Sequence, residues 1–171
     1  MPDTPRFISD VMLGSLARWL RILGFDTLYF RTIDDNELIK IARQQERILL
    51  TRDTGIARRK QPQRLIFIHS NNAPEQIKEV LFTLRIINLS KGLFPDSPIH
   101  RFPLSGSPRC PVCNGELAAT ERKAVADHVP EYVFLNATSF FSCGECGKVY
   151  WCGSHKKSID SILKQVIGNG S

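Results

Sequence analysis

Apolar residues in the first half of the chain come in two rhythms. Short continuous runs, Arg6 to Ser9, Asp26 to Phe30, Arg47 to Thr51 and Leu65 to His69, read as strands. The near-continuous apolar character of RILLT and LIFIH suits strands buried on both faces of a parallel sheet. Between the runs the period lengthens. Met12, Leu13, Leu16, Leu20 and Leu23 recur at helical spacing, Trp19 and Ile22 widen the stripe, and Gly24 stops it. Asp34 or Asp35 caps a second helix whose apolar face is Leu38, Ile39, Ile41 and Ala42. A short helix follows Asp53 and leads into a basic cluster, and a fourth begins at Pro74 and runs to about Arg85. Strand followed by helix, four times over, predicts an α/β fold: a parallel sheet with right-handed crossovers and helices on both faces. Met12, Leu13, Leu16 and Leu20 are expected to bury against that sheet, leaving Arg18 or Arg21 on the flanks, free to face an anion such as a phosphate. Asp26, just before a strand, reads as a turn residue.

The texture changes after Lys91. Pro95, Pro98, Pro103 and Pro108 with Gly92 and Gly106 mark a linker, and CPVCNGEL and CGECGKVYWCGSH then bracket a middle that reads as strand-rich. The expected organisation is an α/β domain over 1–90, a linker over 91–107, a cysteine-bearing module over 108–156, and a helix with a tail over 157–171, with Ile159, Ile162, Leu163 and Val166 on one helix face.

Charge adds a modest hint. The formal net charge of +6 divides as 16 basic minus 11 acidic residues up to residue 105, or +5, and 7 minus 6 beyond it, or +1. Such an excess fits an anionic partner such as nucleic acid and also fits an ordinary solvated surface. No run approaches the roughly 20 apolar residues a membrane span needs, and MPDTPRFISD holds no apolar signal region. A cytoplasmic protein is the expectation.

The cysteines carry the most specific short motif. Cys110-x-x-Cys113 and Cys143-x-x-Cys146 stand 29 residues apart, each with glycines in or after the pair. Without a secretion signal, paired motifs of this kind read as metal ligands before disulfides. Four thiolates give Zn²⁺ a closed tetrahedral shell, which is structural and leaves no open position for catalysis. Cys152 and His155 have C-x-x-H spacing, but the shell is complete without them. Cys152 reads as a plain thiol, while His155 can also contact phosphate. His69, His100 and His128 read as structural.

The acids suggest chemistry. Asp10 ends the first strand, Asp34 and Asp35 open the helix after the second, and Asp53 follows the third. In an open parallel sheet these points share the carboxyl edge, where such folds bind ligands. Clustered carboxylates attract Mg²⁺ or Mn²⁺, and such metals activate water and clamp phosphates. Arg52, Arg58, Arg59 and Lys60 could hold flanking phosphates. A helix-capping role competes for Asp34 and Asp35, and Glu37 answers the helix dipole. A nucleotide-binding reading lacks a glycine-rich loop, since Gly55 is the only glycine near a strand end.

FISDVMLGSLARWLRILGFD, DD-x-E-L, ILLTRD, RCPVCNGEL and CGKVYWCGSH, in that order, resemble the Mut-seven C-terminal RNase family of PIN-like nucleases. The resemblance runs from Arg6 to about His155. It implies a PIN-like sheet followed by a zinc ribbon, and Mg²⁺- or Mn²⁺-dependent endoribonuclease chemistry, in a family found mostly in prokaryotes. Under it, Asp10, Asp35 and Asp53 match metal-holding acids, with Asp34 and Glu37 competing for the middle role. Thr51 orients a carboxylate or water, and Cys110, Cys113, Cys143 and Cys146 hold zinc. Two departures stand out: no acid follows the fourth strand, where Ser70-Asn71-Asn72 occurs, and the usual helix acid lies further along its helix. RNA is the expected partner, with Arg18 among its contacts and Trp151, Tyr150, Tyr132 and Phe134 as stacking candidates against a core-packing role. A protein inhibitor and the oligomeric state stay open. The alternative is a non-catalytic RNA- or ribosome-binding adaptor with the same zinc ribbon.

Overall fold

A computed structural model describes residues 4–59, 64–84 and 108–151, together with Ser161 and Gln165. Its first half is a four-stranded parallel sheet in the order β2-β1-β3-β4, built from β1 (Phe7–Ser9), β2 (Thr27–Tyr29), β3 (Ile48–Thr51) and β4 (Leu65–Phe67). The alternation of strand side chains divides the core into two layers. Phe7, Ile48, Leu50 and Ile66 pack with Leu16 and Leu20 of α1 (Gly14–Ile22) and with Ile77, Val80 and Leu81 of α4 (Ala73–Thr83). Ile8 and Leu49 face the other way, onto Leu38, Ile39 and Ala42 of α2 (Asp35–Gln44) and Ile56 of α3 (Thr54–Arg58). Both faces of the central strands are therefore covered, which is why Phe7 and Ile8 and then Ile48, Leu49 and Leu50 run apolar without alternation, with the buried polar Ser9 and Thr51 at the carboxyl ends.

The helix ends follow from local chemistry. Asp34, Asp53 and Asn72 each accept backbone N–H bonds at the starts of α2, α3 and α4. Gly24, at φ 93°, supplies the left-handed residue that closes α1. The start of α1 differs from the expected continuous helix. Asp10 accepts the N–H of Met12 and caps a separate 3-10 turn, Val11–Leu13. A turn with three residues per repeat breaks the helical phase, so Leu13 is buried as expected but Met12 is 62% exposed, contrary to its place in the apolar stripe.

The cysteine-bearing half holds a three-stranded antiparallel sheet, β5 (Leu117–Thr120), β6 (Phe140–Cys143) and β7 (Val149–Trp151). The stretch between the cysteine pairs is not strand-rich throughout. It holds a 3-10 helix, Arg122–His128, and α5 (Glu131–Asn136). Val125 of the 3-10 helix, Val129 just after it, Val133 of α5 and Ala137 at its end close over Phe140 and Trp151 in one small cluster. Of the expected C-terminal helix, Ser161 and Gln165 are helical. The rest of that segment, the linker 91–107, Cys152, His155 and Lys60 lie outside the described residues.

The two halves meet at the amino ends of the strands. Arg21, expected to be free to face phosphate, is instead buried. Its guanidinium donates to the carbonyls of Thr27 (2.8 Å), Pro111 (3.2 Å) and Val112 (3.0 Å), and burial depresses its pKa. Asn114 Oδ1 accepts the N–H of Thr27 at 2.9 Å, and its amide donates to Asp26 Oδ1 at 2.7 Å. Asp26 is thus more than a turn residue: Arg47 grips both of its oxygens at 2.8 and 2.9 Å. Burial raises the Asp26 pKa, but the hydrogen bonds from Arg47 and Asn114 outweigh it and hold the carboxyl below its usual 3.8. A depressed pKa contributes stability that is complete above the unfolded value and lost as pH falls through the folded one. Asp26→Ala would leave the buried Arg47 unpaired and is expected to cost about 3 kcal/mol in urea unfolding at pH 7. The stability gap between wild type and Asp26→Asn should shrink as the pH drops below 3.8.

Candidate functional site

Two backbone knuckles bring the cysteines together. In each, the residue four places after the leading cysteine takes a left-handed conformation, Asn114 at φ 73° and Gly147 at φ 70°. That residue returns its N–H to the leading cysteine's carbonyl, from Asn114 to Cys110 and from Gly147 to Cys143, each at 2.9 Å. Asparagine is among the few side chains that tolerate this region. At the first knuckle it also frees an amide to dock against Thr27. The four Sγ atoms all lie within 4.8 Å of one another, with Cys110 to Cys146 at 3.7 Å and Cys113 to Cys143 at 3.4 Å. A tetrahedron with Zn–S bonds of about 2.3 Å has edges of about 3.8 Å, so the donor set fits a structural metal such as zinc. Burial pushes the Cys110 thiol up, but hydrogen bonds from the Tyr150 hydroxyl, 3.0 Å away, and from the N–H groups of Cys113 and Val112 outweigh it and bring the thiol down to about 6. Cys113 is pushed up to about 12, by burial first and then by bonding to the other thiols.

The acids lie at the other end of the strands. Asp10, directly after β1, is 2% exposed. Its Oδ1 accepts the N–H of Met12 at 2.8 Å, and its Oδ2 accepts the N–H of Arg52 at 2.9 Å and the hydroxyl of Thr51. The same Thr51 oxygen accepts the N–H of Asp53 at 2.9 Å. Asp53 Oδ1 in turn takes the N–H groups of Gly55 (2.6 Å) and Ile56 (3.2 Å), so among the described residues Oδ2 keeps its lone pairs. Adjacent strands β1 and β3 thus place Asp10 and Asp53 on either side of one threonine. The candidate middle acids part ways. Asp34 caps α2 through Asn36 N–H at 2.8 Å, Asp35 pairs with Arg59 at 3.1 Å, and Glu37 pairs with Lys40 at 3.4 Å. Among the described residues the four cysteines form the group whose ligand atoms converge within 4.8 Å, and no set of three carboxylates does so.

The model of the Mut7-C RNAse domain matches residues 5–95 and 97–163, nearly the whole chain. The chain belongs to this family. Neither the curated proteins nor the solved structures give a match. Membership points to a ribonuclease-type function, and among the described residues no helix is long and apolar enough to cross a membrane.

In this Mut7-C chain the basic candidates separate. Arg18 and Arg58 are exposed. Arg59 bridges α3 to the start of α2, donating to Asn36 at 3.0 Å as well as to Asp35. Arg52 is half-buried, and its guanidinium bonds to Asn71. The amides after β4 therefore have identifiable work: Asn71 steers Arg52, and Asn72 caps α4 through Glu75 N–H at 3.1 Å. Glu79, which sequence reasoning passed over, accepts the N–H groups of His69 and Ser70 and closes that loop. Of the stacking candidates, Trp151 packs into the Val125 cluster, Tyr150 serves Cys110, Phe134 is half-buried beside Arg122, and Tyr132 is exposed.

Proposed function

We propose that this Mut7-C chain is a metal-dependent endoribonuclease that hydrolyses RNA phosphodiester bonds at the carboxyl edge of its parallel sheet. The observation that carries the reading is the Asp10–Thr51–Asp53 web, in which one hydroxyl donates to the buried Asp10 carboxylate and accepts the backbone N–H of Asp53, whose own exposed carboxylate is fixed by the N–H groups of Gly55 and Ile56. Asp10 and the free oxygen of Asp53 would hold Mg²⁺ or Mn²⁺, with Asp35 as the third acid. Such an ion supplies an activated water and a clamp on the scissile phosphate. Thr51 spends its proton on Asp10, so its part is to orient that carboxylate rather than to deprotonate water. Arg52, steadied by Asn71, offers its remaining N–H groups to a phosphate, and a second phosphate competes with Asp35 for Arg59. The zinc site takes no part in hydrolysis on this reading, because a full thiolate shell has no open position. Cytoplasmic location and the division into a nuclease domain over 1–90 and a ribbon over 108–156 belong to the same proposal.

The test is a zinc-loaded protein mixed with single-stranded RNA. Cleavage should be absent without added divalent metal and should appear with Mn²⁺ or Mg²⁺. RNA that binds but stays intact with either ion would leave the adaptor reading. One observation favours that second reading: Asp35 is engaged by Arg59, and no three carboxylates converge among the described residues.

A further inference from the structure

We propose that Phe30 and Met12 form a shelf on which an unpaired nucleobase stacks beside the phosphate that a metal ion at Asp10 and Asp53 would clamp; this rests on the RNA-cleaving reading of that site. Strand register sets the placement. Phe7, Ile8 and Ser9 pair with Thr27, Leu28 and Tyr29, so the next residues, Asp10 and Phe30, stand side by side at the carboxyl edge. Of the seven exposed large apolar residues among those described, three fall in this corner: Val11 at 44%, Met12 at 62% and Phe30 at 38%. Their backbones come together beside a buried carboxylate, through the β1–β2 register and the bonds of Asp10 and Tyr29 to the turn, and this separates them from scattered surface apolar residues, which need no explanation.

The shelf rests on fixed backbone. Asp10 holds the N–H of Met12 at 2.8 Å, and the Tyr29 hydroxyl donates to the Val11 carbonyl at 3.3 Å. Tyr29 lies so close over Gly14 that a Cβ there would sit 2.7 Å from its hydroxyl oxygen. The carboxylate proposed to hold the metal therefore also positions Met12, which ties the base's seat to the reacting phosphate. Arg31, exposed and next to Phe30, and the half-buried Arg52, two strands along the same edge, supply charge for the polyanion backbone of a stacked base. A base already stacked within a duplex has no free face to offer, so the shelf selects unpaired RNA.

Phe30→Trp turns the shelf into a probe. Titrating it with oligoadenylate RNA, without divalent metal so that nothing is cut, should quench the indole beyond any change in wild type. The same oligomer with abasic sugars should not. In cleavage assays Phe30→Ala should raise KM about tenfold, in line with the loss of one base–aromatic stack, while kcat stays within about twofold. Phe30→Leu should behave like Ala and Phe30→Trp like wild type, with Met12→Ala giving a smaller rise. Equal binding by Phe30→Ala and wild type, equal quenching by the abasic oligomer, rescue by Leu, or a dimer that Phe30→Ala dissolves would each overturn the shelf. Quenching without cleavage by any variant would instead remove the nuclease reading and leave the shelf standing. If Phe30→Ala does not fold, the Phe30→Trp titration carries the test.

Discussion

Removing the metal from the four-cysteine site is expected to unfold the cysteine-bearing module and to loosen the amino edge of the parallel sheet with it. Among the described residues the module has little else to hold it. Its apolar cluster counts, among the described residues, three buried ones, Val125, Ala137 and Phe140, with four partly buried ones around them. Apparent binding free energies of structural zinc in small domains run to about 10–16 kcal/mol at neutral pH, more than such a cluster can offset. The consequence should reach past the module, because the first knuckle is also the docking surface. Asn114 receives the Thr27 N–H, and the Pro111 and Val112 carbonyls receive Arg21. Once the knuckle opens, Arg21 is left buried with one carbonyl partner and Asp26 loses the Asn114 amide. Titration with a chelator and a thiol reagent should release one zinc per chain as four thiols become reactive. Amide exchange should then rise across β5, β6 and β7 and at Thr27, while the β3 amides stay protected. Cys143→Ser should reproduce the unfolding. Stoichiometric release with exchange unchanged in the module would show that the metal is not structural.

How legible was this in the sequence? The core of the sheet was plain, because strands buried on both faces leave continuous apolar runs and the helices between them keep a strict period. Every strand of the first half was placed to within two residues at either end. What escaped were positions where a polar side chain reaches far along the chain. Asp26 read as a turn because its partners, Arg47 and Asn114, stand 21 and 88 residues away, and no local period encodes such a pairing. Arg21 read as a surface cation for the same reason. Met12 was lost to a single side-chain bond from Asp10 that set a 3-10 turn ahead of the helix. The helical middle of the cysteine module was hidden because its helices are short, a 3-10 helix and a six-residue α5 broken at Val129 and Pro130, and the surrounding cysteine knuckles favoured strands. The acids fell on the predicted edge, yet which of the middle three would serve a metal was not decidable from spacing alone. The structure sorts Asp34, Asp35 and Glu37 by the neighbours each has found.

Asp10→Asn and Asp53→Asn are expected to abolish cleavage alike while differing in stability. Asp53 uses one oxygen to cap α3 and leaves the other without a hydrogen bond among the described residues. Asparagine serves as well as aspartate at such a cap. Its amide nitrogen then takes the outward position, and the fold is expected to change by no more than about 0.5 kcal/mol. What disappears is the negative charge and the free oxygen proposed to hold the cation. Loss of a partner behind a metal ligand already costs about 10–100-fold in affinity or activity, so loss of the ligand itself should lower the cleavage rate by more than about 100-fold. Asp10 has no such spare oxygen. Oδ2 serves Thr51 and Arg52, and Oδ1 serves Met12. Whichever way an asparagine amide turns, its NH₂ meets at least one backbone N–H, and a buried donor is left without an acceptor. That should cost about 1–3 kcal/mol in addition to the activity. Urea unfolding of both variants beside Mn²⁺-dependent cleavage separates the two effects. Cleavage that survives in a well-folded Asp53→Asn would remove Asp53 from the site. Equal stability of the two variants would mean that Asp10 is not the buried acceptor its three donors make it.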